Sequence, residues 1–125
     1  MRLGFLMVTT MLLVQGCNPA TNDSTADTTT IDVEDYDFAP GQDTVTVGSN
    51  MTATVTFVWV NGAEAHDVTW DSGPGATLPP NSQTLTGGSA YDVILPAGTY
   101  TYHCSIHFST KGMAGKIVVL PPSGM

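Results

Sequence analysis

The chain of 125 residues is long enough for one domain with a buried core. Apolar residues make up 42% of it and charged residues only 11%, and Thr and Gly are abundant, a balance that favours an all-β domain over a helical one. Eleven acidic residues against three basic ones give a formal net charge of −8. Since Arg2, Lys111 and Lys116 are too few for a basic patch, the composition argues against nucleic acid as a partner and favours a protein with a basic docking surface.

The first element of the chain is a predicted signal peptide at residues 1–16. Arg2 supplies a short positive region, and Leu3–Val14 is an apolar stretch too short to cross a bilayer. The sequence Val-Gln-Gly-Cys that ends at Cys17 resembles a bacterial lipobox, in which the signal is removed before an acylated cysteine. We therefore predict an exported lipoprotein anchored in a membrane, on its periplasmic or extracellular face, with a plain secretory signal as the alternative.

A flexible tether at residues 17–30, which begins with the acylated cysteine, is predicted to follow. The segment Asn18–Thr30 is rich in Thr and Asp and contains no large apolar side chain. It cannot bury enough surface to offset the entropy lost on ordering. The folded domain is then predicted at residues 31–125.

Eight extended segments are predicted within the domain, separated by turns that contain Gly, Pro and Asn. In the third segment, apolar residues recur at every second position from Ala53 to Trp59, so one face is apolar. Short strands at this spacing, without helical periodicity, predict an all-β Greek-key sandwich or barrel of about eight strands. The predicted strands are Ile31–Tyr36, Thr44–Val47, Ala53–Val60, His66–Trp70, Thr84–Thr86, Tyr91–Leu95, Thr99–Cys104 and Ala114–Leu120.

The loop around Cys104 contains the residues with metal-binding chemistry. If Cys17 is acylated, Cys104 has no disulfide partner in an oxidising compartment and needs another explanation. His107 follows three positions later and Met113 nine positions later. A thiolate, an imidazole and a thioether in one loop predict a copper site, with zinc as the main competitor for such ligands. The alternative is a buried cysteine that packs as a small apolar residue.

A second histidine is needed for the trigonal two-His, one-Cys arrangement of an electron-transfer copper site. His103 directly precedes Cys104 in an extended run, so its side chain should point to the opposite face. His66 remains, about forty positions upstream of the cysteine. Because strands distant in sequence lie side by side in a Greek-key fold, His66 and Cys104 can meet at one pole of the domain.

With these residues in place, the sequence from about residue 31 to 120 resembles the cupredoxins, the small blue copper proteins, and most of all plastocyanin and its bacterial relatives. The resemblance implies a single copper ion that alternates between Cu(I) and Cu(II). It also implies that His66, Cys104 and His107 are the equatorial ligands and Met113 the axial one. The segments that carry it are Asp37–Pro40, Val45–Gly48, Val60–Val68, Gly98–His107 and Gly112–Val118.

Two features differ from the plastocyanin pattern. The stretch between His107 and Met113 is one residue longer than is typical of plastocyanins. Asp67 stands where those proteins usually have Asn directly after the first ligand. The resemblance implies that this residue ties the two ligand loops together, and we expect Asp67 to do so by accepting hydrogen bonds from Ser105.

The function predicted from these residues is the transfer of single electrons between redox proteins by a membrane-tethered monomer that is not an enzyme. Phe108 and His103 are the candidate docking residues beside the copper site. A lipoprotein for copper delivery or storage is the alternative. A copper oxidase or nitrite reductase would need further histidines, and the chain has three in all. An adhesive β-sandwich without metal would leave the spacing of Cys104, His107 and Met113 unexplained.

Overall fold

The computed structural model describes residues 27–122. They form eight strands and one short helix: β1 Thr28–Glu34, β2 Asp37–Ala39, β3 Gln42–Thr46, β4 Thr52–Trp59, β5 Thr69–Ser72, β6 Ala90–Pro96, β7 Gly98–His103, α1 Phe108–Lys111 and β8 Ala114–Leu120. One sheet has the strand order β2-β1-β4-β6 and the other β3-β8-β7-β5. The predicted signal peptide, Cys17 and the tether before residue 27 lie outside the described residues. Among the described residues, no helix has the length and apolar character needed to span a membrane.

The order of the strands is that of a sandwich in which the chain repeatedly changes sheet. From β2 to β7, every connection passes from one sheet to the other. β1 pairs with β4, and β3 with β8, in parallel, whereas the other neighbours are antiparallel. Within residues 27–122 the two sheets do not close into a barrel. The predicted all-β Greek-key fold of about eight strands is therefore confirmed, and of the two predicted forms it is the sandwich rather than the barrel.

The core between the sheets is rich in aromatic rings. β4 alternates as predicted, with the side chains of every second residue from Ala53 to Trp59 buried. Phe57 of this strand is fully buried, and its ring centroid lies 5.1–6.3 Å from those of four other rings. Because two of these rings belong to the opposite sheet, this cluster joins the two layers. The four rings are those of Phe38, Trp70, Tyr91 and Tyr102.

The first strand begins earlier than the sequence predicted. β1 starts at Thr28 rather than at Ile31, because Thr28 and its neighbours pair with β4 opposite Thr54. Three threonines do not alternate in polarity, so the apolar pattern gave no sign of a strand there. The ordered domain therefore includes the last residues of the segment predicted as a tether.

The predicted strand Thr84–Thr86 is wrong. Leu85 forms only an isolated bridge with His66, and β5 begins at Thr69. Side chains take over the pairing in this region, since the Val68 N–H donates to Ser82 Oγ at 2.8 Å. These contacts hold the chain beside the sheet edge without a continuous backbone ladder.

Three connections that follow β1, β4 and β7 meet at one pole of the sandwich, where the predicted ligands lie. Gly87 closes the space beneath the β4–β5 connection. A Cβ at this position would lie 2.7 Å from both the Val60 carbonyl oxygen and the Gly62 nitrogen. Backbone atoms cannot yield as a side chain can, so the close approach of the two loops requires glycine at residue 87.

Candidate metal centre

Cys104 lies directly after β7 and is fully buried. Its N–H donates to the Met113 carbonyl at 3.0 Å, and its carbonyl accepts the Phe108 N–H at 2.9 Å. The second bond leads into α1, a single helical turn that ends at Gly112 with a positive φ of 66°. This turn, which the sequence analysis did not predict, accommodates the long stretch between His107 and Met113 within a closed loop.

His66 is held just as firmly, although it lies in a connection rather than in a strand. Its N–H and carbonyl both pair with Leu85, at 2.9 Å each. The indole N–H of Trp59 also donates to the His66 carbonyl at 3.2 Å, and the whole residue is excluded from solvent. The backbone of this ligand candidate therefore has little freedom to move.

The side chains of His66, Cys104 and His107 converge on one point. Their two Nδ1 atoms are 2.9 Å apart, and Cys104 Sγ lies 3.8 Å from Nδ1 of His66 and 3.6 Å from Nδ1 of His107. A triangle with these sides has its centre about 2 Å from every corner, close to the length of a metal–imidazole bond. The three residues form the group of potential metal ligands found among the described residues. Their donor atoms thus fit a metal ion without rearrangement.

Met113 ends the same loop, is almost completely buried and belongs to the hydrophobic core. The Met113 carbonyl accepts the hydrogen bond from the Cys104 N–H, so the backbone positions of the two residues are coupled. The role of Met113 as the axial ligand stays a prediction.

Comparison with solved structures agrees with this geometry. An amicyanin variant in its reduced Cu(I) form at pH 4 is 28% identical, covers 72% of this chain and 79% of its own, and superimposes with a TM-score of 0.58. This likeness and the two-His, one-Cys triangle point to the same kind of protein.

The chain has the fold and the ligand set of a cupredoxin. No family model and no curated protein matches the sequence. Auracyanin from Roseiflexus castenholzii shares the fold, at 22% identity over 77% of this chain and 98% of its own, with a TM-score of 0.56. A copper-containing nitrite reductase from Thermus scotoductus is 27% identical over 74% of this chain, with a TM-score of 0.58, but this chain spans only 22% of that protein. Copper is the cofactor that this donor set and these relatives support, since a thiolate with two imidazoles suits copper.

The predicted hydrogen-bonded bridge between the two ligand loops is present. Asp67, next to His66, is 92% buried, and its Oδ1 accepts the Ser105 N–H at 2.7 Å. Its Oδ2 accepts the Ser105 hydroxyl. The carboxylate thereby joins the residue after the first ligand to the residue after Cys104.

Replacement of Asp67 by Ala should loosen the site. Since both hydrogen bonds from Ser105 to the carboxylate are lost, we expect the free energy of unfolding of the metal-free protein to fall by about 1–3 kcal/mol. We also expect Cu(II) affinity to fall about tenfold. Urea unfolding and a chelator competition measure the two effects, and Asp92→Ala, at an exposed position on β6, is the control. Equal stability and affinity in the two variants would refute the role of the bridge.

Two residues of the β1–β2 turn, which sequence analysis missed, contact the ligands. Asp35 Oδ1 lies 3.0 Å from Nε2 of His66 and accepts the Glu64 N–H at 2.8 Å. The pKa of the Asp35 carboxyl group is lowered, chiefly by the hydrogen bond from the Glu64 backbone and secondly by the hydrogen bond from His66. Nothing in the sequence distinguishes Asp35 from the other acidic residues, because its role arises only when β1 is placed beside β4.

The neighbouring Tyr36 covers part of His107. Its ring meets the His107 ring edge-on, with 5.0 Å between centroids, and its hydroxyl lies 3.2 Å from Glu64 Oε2. Lys111 Nζ lies 4.9 Å from the centroid of the Tyr36 ring. Residues from three connections therefore pack around the exposed ligand.

The two candidate docking residues contact each other, and neither belongs to the ligand triangle. His103 points to the opposite face from Cys104, as predicted, and its Nδ1 lies 2.9 Å from Asp71 Oδ2. Phe108 is half exposed, with its ring 5.0 Å from that of His103. Phe108 thus supplies exposed apolar surface next to a mostly buried His103, and His103 takes no part in the ligand triangle.

Proposed function

We propose that this cupredoxin carries single electrons between redox proteins through one type 1 copper site. The observation that supports the proposal is the triangle of Nδ1, Nδ1 and Sγ atoms, already spaced for a metal ion. Copper bound there would supply a one-electron Cu(II)/Cu(I) couple. The trigonal donor set with a nearby methionine is typical of copper sites that transfer electrons.

The protein's part in this function is to restrict the motion of the ligands and to exclude water from them. The backbone anchors of His66 to Leu85 and of Cys104 to Met113 restrict ligand motion. His66 and Cys104 are fully buried, whereas His107 is partly exposed. A ligand frame that moves little between oxidation states lowers the reorganisation needed for transfer, and the partly exposed imidazole offers the shortest route to a partner.

The test of this function is the optical and electron paramagnetic resonance spectra of the purified protein with Cu(II), followed by repeated reduction and oxidation. We expect an intense visible thiolate-to-copper band, narrow copper hyperfine splitting and full recovery of the band in each cycle. Loss of the metal on each reduction, or tight Cu(I) binding without a charge-transfer band, would contradict an electron carrier and support copper delivery or storage.

The proposal includes Met113 as the axial ligand. We expect Met113→Leu to leave the fold intact, because the two side chains have similar volumes. It should alter the spectrum and raise the reduction potential, since a thioether donates weakly to the oxidised site. A change on the order of tenfold in the ratio of Cu(II) to Cu(I) affinity corresponds to about 59 mV for one electron. Met51→Leu, at an exposed position, is the control. An unchanged spectrum and potential in Met113→Leu would remove Met113 from the ligand set.

We further propose that partners dock at the pole around His107. Ile106 and Phe108 supply exposed apolar surface, and Asp35 and Glu64 supply negative charge nearby. Small apolar contacts with complementary charge around them suit short-lived redox complexes. With a basic redox partner, the rate of reduction should fall as ionic strength rises, and a rate independent of salt would contradict charge steering.

Attachment to a membrane through an acylated Cys17 is also part of the proposal. It rests on the lipobox-like sequence, with the domain exported as a monomer. Mass spectrometry of the N-terminal peptide tests it: an acylated Cys17 supports the tether, and an unmodified Cys17 contradicts it.

A further inference from the structure

We infer that Asp35 is a positioning residue of the copper site, acting through Nε2 of His66 to set both the tautomer of this ligand and the reduction potential. The inference rests on the proposed copper function and concerns a residue outside the ligand loops. Asp35 belongs to the turn between β1 and β2, whereas His66 belongs to the connection between β4 and β5.

One oxygen of Asp35 makes both contacts with the His66 connection. Oδ1 accepts the Glu64 N–H at 2.8 Å and lies 3.0 Å from Nε2 of His66. The first bond places the carboxylate relative to the backbone two residues before the ligand. The second contact joins the same oxygen to the His66 ring. Because the Glu64 hydrogen bond fixes the carboxylate, its contact with Nε2 belongs to a hydrogen-bond network and is not an isolated surface pair.

The chemistry of imidazole makes this contact consequential. In the ligand triangle, His66 presents Nδ1 to the metal position. A nitrogen that binds a metal must offer its lone pair, so the ring proton has to reside on Nε2. A carboxylate acceptor at Nε2 stabilises this tautomer, fixes the plane of the ring and makes Nδ1 a stronger donor.

The charge of Asp35 adds a second effect. A negative charge hydrogen-bonded to a ligand stabilises the more positive, oxidised form of the site more than the reduced form. The His66 side chain is fully buried and that of Asp35 is 44% exposed. Solvent therefore screens the interaction at the carboxylate but not at the imidazole. Asp35 should therefore lower the reduction potential.

The substitution Asp35→Asn isolates the charge. Because Oδ1 makes both contacts, an Asn amide oxygen can accept the same two hydrogen bonds while the charge is lost. The matched control is Asp71→Asn, which removes the same charge from another Asp–His pair. Asp71 is 46% exposed and contacts His103, which is not a ligand.

The experiment compares the reduction potentials of the full-length copper protein and the two Asn variants. We expect Asp35→Asn to lower the ratio of Cu(II) to Cu(I) affinity about tenfold, which raises the potential by about 59 mV. Asp71→Asn should give a much smaller shift. Equal shifts in the two variants would overturn the inference, because charge alone, without a path through the ligand, would then account for both.

A second variant and a second readout test the positioning role separately. Asp35→Ala removes both hydrogen bonds and should lower Cu(II) affinity by about 10–100-fold. In nuclear magnetic resonance spectra of the diamagnetic Cu(I) protein, the His66 Nε2 proton should be protected from exchange in the wild type and in Asp35→Asn. It should exchange rapidly in Asp35→Ala, and an equally protected proton there would overturn the positioning role.

Failure of the proposed function would be recognised independently. If the wild-type protein loses copper on reduction, the electron-carrier function is wrong, and chelator competition for Cu(II) then decides the inference. A tenfold weaker affinity in Asp35→Asn than in Asp71→Asn supports it, and equal affinities overturn it.

Discussion

Replacement of Cys104 by Ser is expected to abolish the intense visible band of the Cu(II) protein. The band requires a thiolate bound to copper, and a serine hydroxyl is a harder donor that stays protonated at neutral pH. We expect Cu(I) affinity to fall by more than about 100-fold, since losing even a hydrogen-bond partner of a ligand costs up to that much. Optical titration with Cu(II) and a Cu(I) chelator competition measure these effects.

The control for this variant is Cys17→Ser, the same substitution at the other cysteine of the chain. It should retain the full band, because the ligand triangle contains only Cys104. Circular dichroism of both metal-free proteins verifies that the fold is intact. A Cys104→Ser variant that keeps the band would remove the thiolate from the site and, with it, the proposed type 1 centre.

Replacement of Phe57 by Ala is expected to cause the largest loss of stability. The side chain is fully buried in β4, and its ring contacts aromatic residues from both sheets. Removing the ring loses the free energy gained when it is transferred from water into the core, and it leaves a cavity between the two sheets. We expect the free energy of unfolding of the metal-free protein to fall by about 3–5 kcal/mol, measured by urea denaturation.

Phe108→Ala is the matched control for Phe57→Ala. Its side chain is 51% exposed in α1, so its loss should change the free energy of unfolding by less than about 0.5 kcal/mol. In both variants, the slope of the unfolding free energy against urea concentration should equal that of the wild type. A loss below about 1 kcal/mol for Phe57→Ala would show that the two sheets do not depend on the aromatic cluster.

Much of the sandwich is determined locally. The alternation in β4 has a period of two residues, which any strand with one buried face must show, and it needs no knowledge of the rest of the chain. The Thr-rich start of β1 and the contacts around Leu85 escaped prediction for the same reason. Pairing with β4 orders Thr28, and hydrogen bonds with His66 place Leu85, so neither feature is visible in a local pattern.

The residues of the metal centre also fall into two groups, those that are recognisable from the sequence and those that are recognisable only from the structure. The sequence by itself determined that Cys104, His107 and Met113 share one loop, because donors so close in the chain need no fold to be brought together. The sequence left His66 as the second histidine by elimination, but only the tertiary structure shows that this residue, 38 positions before Cys104, reaches the triangle and that Asp35 lies behind it. Hydrogen bonding and packing act over a few ångströms in space, whatever the separation along the chain. A residue such as Asp35, which works through a long-range contact, therefore becomes recognisable only when the strands that carry it are assembled.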